Sequence, residues 1–298
     1  MSIKLKLVLL STVFGLAAIS LAAQAPASKA NENGLLFEIS GNGLKKPSYI
    51  FGTFHILCPT DVMPMDKFAP YIDKSDQLIM ELDMDDPNVM GSMAKGAAIS
   101  DGRTIKDFLT AEQYAKVDEM FKNSLGLSVD AVKTLKPAIL SVLVVTSPKM
   151  LGCSPPSSYD LSFVKVAADK KKPIIGLETV EFQSKTLESQ PLEKQAESLA
   201  KMAEDPQKAA DELKKLISTY KEQDIEKLHK LALEQNKTDV NFEKDLLDDR
   251  NAAWIPKIEG IIKTTPSFIA VGAGHLGGPK GVISLLRGKG YKVTPIRL

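Results

Sequence analysis

One hexapeptide constrains the fold of this chain more than any other. Ser267-Phe268-Ile269-Ala270-Val271-Gly272 is apolar at nearly every position. A strand with one face in water alternates polar and apolar side chains, whereas a continuous apolar run marks a strand covered on both faces. Shorter runs elsewhere supply its neighbours. Leu35–Ile39 and Ser48–Gly52 flank a polar segment with Gly41-Asn42-Gly43 and Lys45-Lys46-Pro47, which reads as a hairpin. Gln77–Leu82, Pro173–Leu177 and Tyr291–Ile296 read as three more strands.

Between the strands the spacing turns helical. Thr104–Leu109 opens a helical block that continues through Ala111–Leu125 and Val129–Val145, and Ser162–Asp169 carries a further helix. Leu192–Asn251 is rich in Lys, Glu, Leu and Ala with apolar residues at three- and four-residue steps. No heptad persists across it, so several amphipathic helices are expected rather than a coiled coil. Gly281–Arg287 is the last helix, punctuated by Gly288 and Gly290. The fold class is therefore α/β: strands near both ends of the chain form one sheet, and a large helical block lies between them.

The first residues read as an address. Lys4 and Lys6 precede an uncharged apolar run from Leu7 to Ala23, which gives way to Ala22-Ala23-Gln24-Ala25. A basic start, an apolar stretch and small residues at its exit are the parts of a secretory signal peptide. Residues 1–22 are assigned to it, with cleavage after Ala22. A retained anchor is the rival reading, but a run of about 17 residues is at the lower limit for a membrane span. Residues 23–33 are expected to be a flexible segment and residues 34–298 a single domain, since no Pro/Gly/Ser-rich linker divides them. A periplasmic or secreted protein with no stable membrane span is the outcome. Loss of the two leader lysines leaves 36 basic against 37 acidic side chains. So balanced a chain argues against nucleic acid as a partner, because phosphate binding needs clustered positive charge. Its two cysteines, Cys58 and Cys153, are expected to form a disulfide in an oxidising compartment; a thiol nucleophile or a pair of metal ligands are the rival readings.

Histidine is scarce, and two of the three share one setting. Ile50-Phe51-Gly52-Thr53-Phe54-His55 and Ala270-Val271-Gly272-Ala273-Gly274-His275 are each an apolar strand followed by Gly-x-x-His. Loops after the carboxyl ends of strands are where α/β proteins gather ligands and catalytic groups. The glycine is expected to permit a tight turn there. Glu81 ends the third strand between apolar residues, so its carboxylate enters the sheet-end cavity or is desolvated at a cost. Two imidazoles and a carboxylate form an incomplete coordination shell for a divalent ion, with a position left for an activated water. The opposing reading makes His55 and His275 hydrogen-bonded turn residues and Glu81 a surface charge. His229, in Lys227-Leu228-His229-Lys230, is expected on a solvated helix face.

With Gly176-Leu177-Glu178-Thr179, Arg250-Asn251-Ala252-Ala253-Trp254 and Gly281…Leu286-Arg287…Gly290-Tyr291-Lys292-Val293, these motifs follow one another in an order that resembles the TraB/GumN family. That family includes the animal Tiki proteins, which are metal-dependent proteases. The likeness runs from Leu35 to Leu298 and implies a Tiki-like fold, related to the erythromycin esterase and ChaN-like group, with one mixed sheet. It implies a divalent ion (manganese, cobalt or zinc) held by His55, Glu81 and His275, with Glu81 also counted among the catalytic groups. More loosely, Arg250 would hold an oxyanion or a substrate carboxylate, unless it is paired with Asp248 or Asp249, and Asn251 would add a hydrogen bond. Glu178 would orient a histidine through its far ring nitrogen or act as a helix N-terminal charge. Asp160 lies where many members carry an acid, and Trp254 is read as a packing residue.

The expected function is thus an exported metal-dependent hydrolase cleaving peptide bonds. A metal-free hydrolase with histidine as base and a protein that sequesters a peptide or small signal molecule remain open beside it.

Overall fold

A computed structural model describes residues 34–187, 190–236, 241 and 243–298. The leader and the segment 23–33 lie outside them. Six strands form one mixed sheet: β1 Leu36–Ser40, β2 Ser48–Thr53, β3 Gln77–Leu82, β4 Ile174–Glu178, β5 Ser267–Gly272 and β6 Lys292–Ile296. Their order is β4-β3-β5-β2-β1-β6. β5 pairs in parallel with β3 and β2, and β3 pairs in parallel with β4. β1 runs antiparallel to both β2 and β6. Every residue of β5 is buried, which is why its sequence does not alternate.

Twelve helices accompany the sheet among the described residues. The first six are α1 Ala69–Ile72, α2 Val89–Ala97, α3 Ala111–Leu125, α4 Pro137–Val145, α5 Pro148–Leu151 and α6 Tyr159–Lys170. The others are α7 Val180–Leu187, α8 Leu192–Glu204, α9 Pro206–Lys221, α10 Ile225–Gln235, α11 Asp249–Ile262 and α12 Val282–Gly288. Local chemistry sets several ends. Thr110 and Gln113 close a reciprocal capping box at the start of α3, and Gly126, at φ 73°, ends it in the left-handed region. Asp205 and Asp224 accept backbone N–H groups at the starts of α9 and α10.

Two apolar clusters hold these layers. The larger covers the sheet, where Phe51, Phe68, Tyr159, Phe163 and Phe268 meet mostly edge to face at 4.6–6.3 Å between ring centroids. The smaller lies within the helical block, around Phe121, Leu140 and Leu199 of α3, α4 and α8. The helical stretch from Leu192 resolves into three helices, α8 to α10, and a π-helical turn at Lys244–Asp248 leads into α11. α11 runs well beyond Asn251, and α2 and α7 were not expected. The stretch Val129–Val145 is broken by Pro137 into a short 3₁₀ turn and α4.

Cys58 and Cys153 are joined in a disulfide, Cα to Cα 5.8 Å, between segments 95 residues apart in sequence. No helix among the described residues is long and apolar enough to cross a membrane.

Candidate functional site

The carboxyl ends of β2, β3 and β5 lie side by side, since Thr53 pairs with Gly272 and Met80 with Ala270. His55 follows β2, Glu81 is the penultimate residue of β3, and His275 ends the 3₁₀ turn Ala273–His275 that follows β5. The glycines of the two Gly-x-x-His motifs serve close approach rather than turning. Gly272 has φ −51°, open to any residue, and Gly52 lies inside a fully buried strand. A Cβ on Gly52 would meet Ala273 Cβ and Leu276 Cδ1 at 2.9 Å. A Cβ on Gly272 would lie 3.2 Å from Glu81 Oε1 and 3.8 Å from His55 Nε2. Glu81 and His55, with His275 Cδ2 at 3.6 Å, therefore border one small space that a Cβ on Gly272 would narrow.

Arg250, from α11, ties the buried acids together. Its Nη2 donates to Glu81 Oε2 at 2.7 Å and also to Glu178 Oε1, while Nε donates to Glu178 Oε2 at 3.2 Å. Nη1 donates to the Leu246 carbonyl at 3.2 Å and to His275 Nε2 at 3.0 Å. All five N–H bonds of the guanidinium are thereby engaged. The side chains of Arg250, Glu81 and Glu178 are 10%, 11% and 3% exposed, so the cluster is nearly dry. Glu81 also accepts from Gln183 Nε2 at 3.1 Å and from the Gly272 N–H at 2.9 Å. Burial alone would raise its pKa, but the His275 ring, the Arg250 guanidinium, His55 and the Gly272 N–H outweigh that and hold it at about 2. Glu81 is a carboxylate at any physiological pH. Among the described residues Glu178 makes no hydrogen bond to a histidine: it grips Arg250 and accepts the Trp254 indole N–H at 3.1 Å. Arg250 is accordingly bound to Glu81 and Glu178 and not to Asp248 or Asp249.

His275 is buried and fully partnered. Its Nδ1 lies 2.7 Å from Asn251 Oδ1, and Asn251 Nδ2 donates to the Lys280 carbonyl, which fixes the amide orientation. Nδ1 is therefore the protonated nitrogen, and Nε2 is the acceptor for Arg250. Burial pushes its pKa down to about 3, with the Arg250 charge adding to the effect. The ring also packs on Trp254, centroids 4.4 Å apart. Asn251, rather than Glu178, is the residue that orients this histidine.

His55 is the opposite case, with 67% of its side chain accessible. Its Nδ1 lies 2.9 Å from Asp160 Oδ2, and Asp160 is itself held by Thr53 Oγ1 and Ser158 Oγ at 3.3 and 3.4 Å. The hydrogen bond to Asp160 outweighs burial and raises the pKa to about 9; water reaching the ring screens part of that pairing. Two cross-links fasten the segments carrying the pair. Leu57 and Ser157 exchange backbone hydrogen bonds at 2.8 Å, and the Cys58–Cys153 disulfide stands beside them. His55, Glu81, Asp160 and Arg250 line the polar end of a cavity of about 640 Å³, and Met80, Leu82 and Leu161 are among its apolar walls. That volume suits a small-molecule or peptide ligand.

The order of motifs and the clustering of their residues at one sheet edge have a matching counterpart in sequence comparison, where a family profile covers residues 35–295. The chain belongs to the TraB/PrgY/gumN family. No curated protein and no solved structure matches it.

In this TraB/PrgY/gumN chain the expected three-ligand metal centre does not fit the side chains as they stand. His55 Nε2 and Glu81 Oε1 face the space beside Gly272, but both nitrogens of His275 are engaged by Asn251 and Arg250. Among the described residues no cluster of three or more His, Cys, Asp or Glu is arranged to hold a metal ion. The sequence reading missed Gln183, which reaches Glu81 from α7; nothing in its local pattern sets it apart. His229 is corrected: it is 8% exposed, not solvated, because its ring packs on the loop Gly277-Gly278.

Proposed function

We propose that the protein is an exported hydrolase that cleaves peptide bonds, with His55 and Glu81 as its reacting pair. One observation carries this reading: an Asp160-oriented imidazole, whose pKa that pairing raises, and a fixed carboxylate face a common space in a ligand-sized cavity. Hydrolysis of an amide needs a proton delivered to the leaving nitrogen and one removed from the attacking water. His55 supplies the first from Nε2, since Asp160 holds Nδ1. Glu81 accepts the second through Oε1 and returns it to His55. With its five donors engaged, Arg250 is a positioning residue that keeps Glu81 ionised and aimed. Export is supported by the signal-like leader and by the disulfide.

The metal-dependent form is the second reading, favoured by the same convergence of His55 Nε2 and Glu81 Oε1 and by the likeness to Tiki-like proteases. A divalent ion at that place, manganese, cobalt or zinc, would supply an activated water. A peptide-library cleavage assay on the purified protein, with chelator and then with each ion added separately, tests both forms. Cleavage is expected, and His55→Gln or Glu81→Gln should lower it at least ~100-fold. Cleavage that survives chelation removes the metal form. Tight peptide binding without any turnover would overturn the hydrolase and leave a sequestering protein.

A further inference from the structure

Resting on the peptidase reading, we infer that the cavity selects a peptide carrying a large, uncharged, apolar side chain next to the scissile bond. Its charged lining groups, His55, Glu81, Asp160 and Arg250, all stand at one end and are already paired with one another or with Glu178. Beyond that end the walls offer no charge to an ionic side chain, so an Asp or a Lys entering there would be desolvated without a partner. The mouth continues the apolar lining into solvent: Leu161 is 64% exposed, Val142 48% and Met93 40%. These three come from α6, α4 and α2 and line the same cavity. Exposed apolar side chains gathered around one opening mark a recognition surface rather than scattered surface residues.

Gln183 favours a peptide over an ester or a fatty acyl chain. Its Nε2 donates to Glu81, an acceptor-only group, and the residue lines the cavity, so its amide brings a carbonyl acceptor to that wall. A carbonyl acceptor in the cavity wall suits a substrate that brings a backbone N–H. An ester at the same place brings none and would leave that acceptor unpaired.

The test uses the intact protein and a set of fluorescent peptides of one length and sequence, varied only at the residue flanking the scissile bond: Leu, Met and Phe against Ser, Asp and Lys. Binding is read by fluorescence anisotropy while turnover is recorded in parallel. The apolar members should bind at least roughly tenfold tighter than the Asp and Lys members. Leu161→Asp and Met93→Asp, both on exposed positions, should erase that preference while the thermal midpoint stays unchanged. Equal binding across the set, or a preference that survives both charged substitutions, would overturn the inference. A matched depsipeptide, with the N–H replaced by oxygen, that binds as tightly as the amide would overturn the peptide assignment. The outcomes separate from those of the hydrolase reading: selective binding without turnover sinks the hydrolase alone, and turnover without selectivity sinks this inference alone.

Discussion

Arg250→Met is the most informative single change, because it removes the cation and keeps much of the volume. In the wild type one guanidinium neutralises two carboxylates whose side chains are only 11% and 3% exposed. Breaking a buried pair by deleting one partner costs ~3–5 kcal/mol, since the remaining charge stays buried without compensation. The pH dependence gives a second test, with an upper bound, because Arg250 is one of several groups that hold Glu81 down, beside His275, His55 and the Gly272 N–H. Its neighbours hold the Glu81 carboxyl at about 2, well below its ordinary 4.5. A depressed carboxylate pKa contributes stability that is fully present above the unfolded value and is lost as pH falls through the folded one. By linkage that contribution is about 3 kcal/mol, lost between about pH 4.5 and 2. In Arg250→Met two like charges share a dry site, so the Glu81 pKa rises and its protonation relieves the repulsion. The variant should be ~3–5 kcal/mol less stable at pH 7, and the gap should narrow as pH drops below about 4.5. Urea unfolding followed by far-ultraviolet circular dichroism, at pH 7 and at pH 4, measures both. A loss smaller than ~1 kcal/mol at pH 7, as for an exposed pair, would refute the account. So would a gap that stays constant between the two pH values.

Three further outcomes are expected. If His55 works as the protonated donor, peptide cleavage falls as pH rises through about 9, and Asp160→Asn brings both that limb and the His55 titration, read by NMR, down toward the ordinary imidazole range; a rate that climbs through pH 9 would make His55 a base instead. Gly272→Ala places a methyl 3.2 Å from Glu81 Oε1 and 3.8 Å from His55 Nε2, so turnover should drop at least ~10-fold while unfolding free energy changes by no more than ~3 kcal/mol; wild-type turnover in this variant would show that the space is not used. Replacing Cys58 and Cys153 together with serine opens a loop of sequence separation 95, which should cost ~2–5 kcal/mol and loosen His55 from Asp160; an unchanged denaturation midpoint and an unchanged His55 titration would contradict that role.

What could be read in the sequence and what could not divide along a physical line. Local pattern carries burial and chain direction. The unbroken apolar run Ser267–Gly272 therefore announced a central strand, and the strands at both ends of the chain announced a shared sheet. Pattern also put His55, Glu81 and His275 at strand ends, and the structure brings their elements together. Pairing of charges is a different matter, because it depends on contacts between residues 72 to 169 positions apart. Arg250 stands beside Asp248 and Asp249 in sequence, yet α11 turns it inward onto Glu81 and Glu178. Helix α7, which was not foreseen, delivers Gln183 to the same carboxylate.

The two Gly-x-x-His motifs show the same limit most sharply. They share one pattern, an apolar strand and then Gly-x-x-His, but one histidine is open to the cavity and held by Asp160, while the other is buried between Asn251, Arg250 and Trp254. Their proton affinities are driven in opposite directions, to about 9 and about 3. A repeated motif thus yields an asymmetric pair: a readily protonated imidazole at the cavity and a neutral acceptor that, with the two glutamates, fixes the guanidinium. The difference originates in the partners, since β2 leads its histidine out to the Asp160 segment while the turn after β5 folds its histidine under α11. Exchanging the two roles by mutation would require moving Asp160 and Arg250, not the histidines themselves.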